Sequence, residues 1–201
     1  MASALVLGKV NQQHLDHTDW HLNNYEKELA TAQNLFLLGR SMEARNIYWK
    51  LEQKPYQLTR LVEDSPYLTL GSRVTKEMIN AKVALCVATA QYELCQTYGL
   101  KDDWMYRIRY VVKTLSFVYQ STSSLAKELT MCTDPLLKTY IQTQYIFLSR
   151  QIAEMSIRTD KFVEERNGLE DSNYTCVMPE RCRNMKEFST KVLNEVASLS
   201  S

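Results

Sequence analysis

The sequence predicts an all-α protein, an antiparallel bundle of six or seven helices with an N-terminal helical hairpin. Two consecutive segments repeat apolar residues at alternating steps of three and four, the period of helices that pack along their length. The first carries Val74, Met78, Ala81, Leu85, Ala88, Tyr92 and Cys95, and the second carries Trp104, Ile108, Val111, Leu115, Val118, Thr122, Leu125 and Leu129. Only five glycines and four prolines interrupt the 201 residues, as expected of a chain built from long helices.

An apolar stripe on each side of Gly39 predicts the N-terminal hairpin. The first helix is expected to begin at Thr18 or Asp19, both suitable N-caps, and to end just before Gly39. Its stripe consists of Leu22, Tyr25, Leu29, Ala32 and Phe36. The second helix is expected to begin after Ser41 and to stop before Pro55.

Residues 55–71 are predicted to form a linker, which could itself hold a short helix over 57–62. Beyond this linker, three longer helices and a short last one are predicted. The long helices are expected over 74–98, 103–129 and 135–165. Asp134 followed by Pro135 combines an N-cap with proline at the first helical position, and the last helix follows Pro179. Short connections between the long helices predict antiparallel neighbours.

Composition and charge bound the domain organisation and the partners. A chain that is 45% hydrophobic and 23% charged suits one helical domain over 1–201. A subdivision into a hairpin over 11–62 and a long-helix bundle over 72–201 is the alternative. A net charge of +1 argues against an electrostatic grip on nucleic acid, so we do not expect nucleic acid as the partner.

Several features of the chain favour a cytoplasmic, intracellular protein. They are also compatible with a component of a virus particle. The sequence contains no run of about eighteen apolar residues, so no membrane span is predicted. Residues 1–10 lack the basic start of a signal peptide. Five cysteines form an odd number, and Cys86 and Cys95 fall inside a predicted helix, where thiols behave as small apolar side chains.

Residues 30–55 resemble the middle of a tetratricopeptide repeat. Gly39 stands at the turn, Ala44 ends a Glu-Ala pair on the second helix, Tyr48 follows four residues later, and Pro55 closes the segment. The glycine-to-proline distance is one residue shorter than the family pattern, and the sequence shows no second copy. The resemblance implies a protein-binding scaffold, and a simple helical hairpin is the competing interpretation.

All three histidines, His14, His17 and His21, fall within eight residues. His17 and His21 are four residues apart, a spacing at which two imidazoles can share a metal ion. His14 and His21 would lie about 10 Å apart along a helix, so one ion could not bind all three. A third ligand would have to come from another helix. Histidines at a polar helix end, or at an assembly interface where they titrate near neutral pH, are the competing interpretation.

Basic residues suggest two further kinds of site, a reactive thiol and an RNA-binding surface. Cys182 lies between Arg181 and Arg183, which can activate a thiol, but its spacing from Cys176 fits no zinc or redox motif. Basic residues accompany aromatic ones on the helix over 103–129 and at the start of the last helix. The residues concerned are Arg107, Arg109, Tyr110 and Lys113 in the first case, and Arg181, Arg183 and Lys186 in the second. A mixed solvated surface is the alternative to RNA binding.

A second apolar stripe on the helix over 103–129 points most directly to function. Tyr106, Tyr110 and Phe117 lie almost opposite Trp104 around this helix. Such a helix is either central in its own bundle or contacts a partner on its outer face. Aromatic residues, tyrosine in particular, are enriched in protein interfaces, so we expect these three residues to contact a partner.

The sequence therefore predicts a non-enzymatic structural or adaptor subunit that acts through protein–protein contacts in a larger assembly. Its partners would be other protein subunits or further copies of the chain, and no cofactor is expected. Two alternatives stay open: a metal-dependent helical-bundle enzyme that uses His17 and His21, and an RNA-binding helical protein.

Overall fold

The computed structural model describes residues 12–53, 70–98 and 104–167, and these residues are helical apart from short turns. They form α1 (Gln12–Leu37), α2 (Ser41–Gln53), α3 (Leu70–Gln96), α4 (Trp104–Met131) and α5 (Pro135–Asn167). The all-α prediction is confirmed for this part of the chain. The helices predicted over 57–62 and after Pro179 lie outside the described residues, so the number of six or seven stays a prediction.

The turn between α1 and α2 follows from the glycine that the sequence places there. Gly39 has a φ of +77°, in the left-handed region that glycine adopts without steric cost. Its N–H donates to the Phe36 carbonyl at 3.0 Å, and the Arg40 N–H donates to the Leu35 carbonyl at 2.9 Å. This pair of bonds is the Schellman motif, which satisfies carbonyls that the helix end leaves free. The predicted end of the first helix is confirmed.

The predicted start of α1 is wrong, because the helix begins at Gln12, six residues before Thr18. Thr18 is fully buried, and the Asp19 carboxylate accepts a 2.7 Å bond from the Lys82 ammonium, so neither residue caps the helix. Leu15 is also buried. The earlier start carries the inward-facing stripe of α1 back by about two further turns, from Leu22 to Leu15, and burial of those turns outweighs the local capping preference.

The start of α5 is set by local chemistry and confirms the prediction. The Asp134 carboxylate accepts hydrogen bonds from the Leu136 and Leu137 N–H groups at 3.0 and 3.1 Å. Pro135 occupies the first helical position, where it has no hydrogen bond to lose. Asp134 therefore satisfies two donors that would otherwise lack partners.

Contacts between helices show that neighbours in sequence run antiparallel. Arg73, near the start of α3, pairs with Glu128, near the end of α4. Gln91, nearer the end of α3, bonds Thr114, which is nearer the start of α4. Between α2 and α3, Arg45 bonds Thr97 and Glu52 bonds Gln91, again in opposite directions. Alternate helices run parallel. The contacts that show this are Lys82–Asp19 and Tyr25–Cys86 for α1 with α3, and Arg158–Glu93 and Arg166–Tyr98 for α3 with α5.

The central helix of the described bundle is α3, which contributes to all three clusters of buried apolar residues. Its N-terminal half packs with α1, α4 and α5 around Met78 and Ile79. Its C-terminal half packs with α4 and α5 around Tyr92, and with the α1–α2 hairpin around Leu94. A helix surrounded on all sides is apolar around most of its circumference, as α3 is.

The apolar seam predicted for α4 is confirmed, because seven of its eight residues are buried and Leu129 is partly buried. The other described helices do not cover its opposite face in the same way, so α4 lies at the edge of the described bundle and not at its centre. None of the five described helices is both long enough and apolar enough to cross a membrane.

Candidate functional site

The candidate site is a groove between α2 and the N-terminal half of α4, lined by Trp49, Glu52, Gln53, Arg107 and Tyr110. Its volume is about 410 Å³. The other side of α2 carries Ala44, Tyr48 and Leu51, which are fully buried. Because those three residues occupy the core-facing side of the helix, Trp49 is turned outward and remains 49% exposed. We refer to this region as the α2–α4 groove.

An ion pair crosses the α2–α4 groove. The Arg107 guanidinium lies 3.7 Å from the Glu52 carboxylate, and the same guanidinium lies over the Trp49 ring, 5.6 Å from its centroid. Each side chain of the pair is about one-fifth exposed, so the charges are partly shielded from water. Arg107 therefore bridges the acidic and the aromatic side chains that α2 contributes.

A chain of buried hydrogen bonds holds Glu52 in place. The Gln91 amide on α3 donates to the Glu52 carboxylate at 3.1 Å and accepts a 2.7 Å bond from the Thr114 hydroxyl on α4. Gln91 and Thr114 are 5% and 6% exposed. Because both polar groups of the Gln91 amide are used, its orientation is fixed, and with it that of Glu52. The floor of the groove is thus set by three helices at once.

Of the tyrosines of the predicted interface, Tyr110 lines the α2–α4 groove and Tyr106 lies against Tyr110. Tyr106 is 51% exposed, and its hydroxyl oxygen lies 2.7 Å from that of Tyr110, which is partly buried. This hydrogen bond raises the pKa of Tyr110 above its usual value. Phe117 is 52% exposed and lies two turns further along α4, where it does not line the groove. The structure therefore brings Tyr110 together with α2 residues and places Tyr106 against Tyr110, whereas Phe117 lies apart on the same face of α4.

Trp49 and Glu52 are site residues that were not predicted from the sequence. The available signal was an aromatic residue on the polar side of the short amphipathic helix α2, directly after the inward-facing Tyr48. Their proximity to Arg107 could not be inferred, because more than fifty residues separate the two sides of the groove. Aromatic faces, a guanidinium and tyrosine hydroxyls are the groups that most often dominate the energy of protein–protein binding.

The paired histidines are adjacent on α1, as their spacing predicted. The ring centroids of His17 and His21 lie 4.5 Å apart, edge to face, and Trp20 packs against His21 at 4.8 Å. His14 lies in the same helix. Over the described residues, no three His, Cys, Asp or Glu side chains come together in a group suited to a metal ion. A third ligand for His17 and His21 would have to come from elsewhere.

The other predicted candidates divide between exposed and undescribed positions. Arg109 and Lys113 are exposed on the outer side of α4, where they flank the tyrosines. Cys176 and Cys182 lie outside the described residues, as do the basic residues Arg181, Arg183 and Lys186. In the described part of the chain, Cys95 and Cys132 are buried and Cys86 is partly buried.

The helix thiols should resist alkylation in the folded protein. Burial raises the pKa of Cys86 to about 12 and that of Cys95 to about 12. At pH 8 only about one thiol in ten thousand would then be the reactive thiolate. We expect iodoacetamide at this pH to leave both residues unmodified in the native state and to modify both in guanidinium chloride, as read by peptide mass mapping. Native alkylation at the rate of a free cysteine peptide would contradict this.

Comparisons with known proteins give no relative for this chain. No family model, no curated protein and no solved structure matches it. A functional proposal must therefore rest on the residues of the chain itself.

Proposed function

We propose that this protein is a non-enzymatic structural or adaptor subunit that binds another protein through the α2–α4 groove and the adjoining tyrosines. The observation that carries the proposal is the half-exposed Trp49, which lines the groove together with Tyr110 and lies under the guanidinium of the Arg107–Glu52 pair. Large aromatic residues left open to water on rigid helices are typical of binding surfaces, since a partner that covers them gains apolar burial at little cost in side-chain entropy.

The buried hydrogen bonds beneath the groove support a binding role. Gln91 and Thr114 fix Glu52, and Glu52 in turn holds Arg107 close to Trp49. A partner would meet this charged pair already oriented, so little further ordering would be needed on binding. Tyr106 and Tyr110 extend the surface along α4 and offer hydroxyl groups for hydrogen bonding at its edge.

Affinity capture with groove variants tests the proposal. The tagged full chain is expressed in its native source, and co-purifying proteins are quantified by mass spectrometry for wild type, Trp49→Ala and Tyr106→Ala. Because hot-spot aromatics contribute about 1.4 kcal/mol or more to binding, we expect each variant to reduce recovery of the same proteins by about tenfold or more.

Trp20→Ala provides the matched control, because Trp20 is also an exposed tryptophan, 61% accessible, but lies on α1. This variant should retain the proteins that wild type retains. Equal loss with Trp20→Ala, or unchanged recovery with Trp49→Ala and Tyr106→Ala, would contradict a role for the groove. Circular dichroism of each variant confirms that the fold persists.

The two alternatives make separate predictions. An enzyme built on His17 and His21 requires stoichiometric zinc or iron in the purified protein and a rise in melting temperature when the metal is added. An RNA-binding protein requires a complex with RNA at micromolar concentration that weakens steeply as salt increases. Either result would replace the adaptor proposal, and each can be obtained with the same purified chain.

A further inference from the structure

The exposed face of α5 is a continuous stripe along the helix, opposite the side that packs against the described bundle. Between residues 142 and 164, the exposed positions recur at alternating steps of four and three. They are Thr143, Phe147, Arg150, Glu154, Ile157, Lys161 and Glu164. At 100° per residue the positions from 143 to 161 lie within an arc of about 80°. We call these positions the α5 stripe.

The α5 stripe has the spacing of a coiled-coil seam and includes two large apolar side chains. Phe147 is 51% exposed and Ile157 is 49% exposed. In a coiled coil, the residues that contact the facing helix recur at this spacing, as the a and d positions of a heptad. A solvated helix face does not require apolar residues at such positions, so their occurrence on either side of Arg150 and Glu154 suggests that another helix covers them.

The α5 stripe is complementary to a second copy of itself that runs in the opposite direction. If a second α5 lies antiparallel with the two-fold axis near Ile152, Phe147 faces the partner's Ile157 and Arg150 faces the partner's Glu154. Each contact then occurs twice, as two-fold symmetry requires. Two ion pairs occupy the centre, and an aromatic–aliphatic layer lies on each side of them.

We propose that the protein forms a two-fold symmetric homodimer through the α5 stripe, with α5 of each copy packed antiparallel against the other. Charge complementarity and the apolar contacts select this one register, because a shift by one heptad would bring Phe147 opposite Arg150 of the partner subunit. A partly polar layer at the centre of a helix pair commonly fixes register and orientation in this way.

The proposed interface is separate from the α2–α4 groove, so it goes beyond the adaptor proposal and can be tested apart from it. The seam from 143 to 161 is roughly 27 Å long. A helix pair of this length lies at the small end of stable interfaces, so we expect a dissociation constant of about 10–100 µM. The dimer would leave Trp49 and Tyr106 available to a different partner.

Sedimentation equilibrium of the full chain with charge-reversal variants tests the dimer. Arg150→Glu would bring four carboxylates together at the centre of the homodimer, and Glu154→Arg would bring four guanidinium groups together. We expect each variant alone to raise the dissociation constant by about tenfold or more. When the two variants are mixed, every central contact again joins opposite charges, and the association should return to within about threefold of wild type.

Lys138→Glu is the matched control, since it reverses an exposed charge on α5 outside the stripe and should leave the dimer unchanged. Wild type that stays monomeric at about 200 µM, twice the upper limit of the expected dissociation constant, would overturn the proposal and leave the stripe to another protein or to residues 168–201. A wild-type dimer with no association between the mixed variants would also overturn it. Loss of the dimer on Trp49→Ala, with Arg150→Glu still dimeric, would assign self-association to the groove instead.

Discussion

Replacing Trp104 by alanine should lower the free energy of unfolding by about 3–5 kcal/mol, the largest effect we expect from a single substitution. Trp104 is the first residue of α4 and is only 1% exposed. Its indole packs edge to face against Phe162 of α5, with ring centroids 5.7 Å apart, in the cluster that also contains Tyr92 of α3. Alanine would leave a cavity among three helices that cannot all move inward to fill it.

Urea unfolding followed by circular dichroism measures this effect. Trp49→Ala is the control, because it removes the same side chain from a position that is 49% exposed and should cost about 1 kcal/mol or less. Trp104→Phe should fall between the two, since it keeps part of the apolar contact with Phe162. Equal destabilisation by Trp104→Ala and Trp49→Ala would contradict the burial that the structure assigns to the start of α4.

Replacing Arg158 by methionine should destabilise the fold by about 2–3 kcal/mol, because it leaves a buried carboxylate without its cation. Glu93 on α3 is 6% exposed, and its carboxylate accepts a 3.0 Å hydrogen bond from the Arg158 guanidinium on α5. The guanidinium also lies 4.7 Å from the centroid of the Tyr92 ring. Methionine retains much of the apolar stem of arginine and removes only its charge and donors. The Arg158 side chain is 41% exposed, so water moderates the cost.

A double-mutant cycle with Glu93→Gln isolates the contribution of the pair. Once the carboxylate is gone, Arg158→Met should cost about 1–2 kcal/mol less than it does in the wild-type background. Lys161→Met supplies the control on the same helix, because the Lys161–Glu165 pair is 3.8 Å long and largely exposed and should contribute less than about 0.5 kcal/mol. Strict additivity of the Glu93 and Arg158 substitutions would show that the two charges do not interact.

Part of the candidate site could be predicted from the sequence. The position of Tyr106, Tyr110 and Phe117 opposite the buried seam follows from helical periodicity alone, and the structure leaves Tyr106 and Phe117 half exposed. The groove itself could not be predicted, because Trp49 and Glu52 belong to α2, which lies next to α4 as a result of the packing of both helices against α3. The adaptor function is an inference from the α2–α4 groove, and the homodimer is an inference from the α5 stripe.

The sequence by itself determined the helical class and the helix ends that depend on neighbouring residues. Gly39 ends α1 and Asp134 begins α5 because their backbone conformation and hydrogen bonds involve only residues a few positions away. The tertiary structure alone decided that α1 begins at Gln12, that α3 is central and that Trp49 faces Arg107. Periodicity identifies which residues share a helix face, but which faces are buried depends on the total free energy of packing among helices distant in sequence.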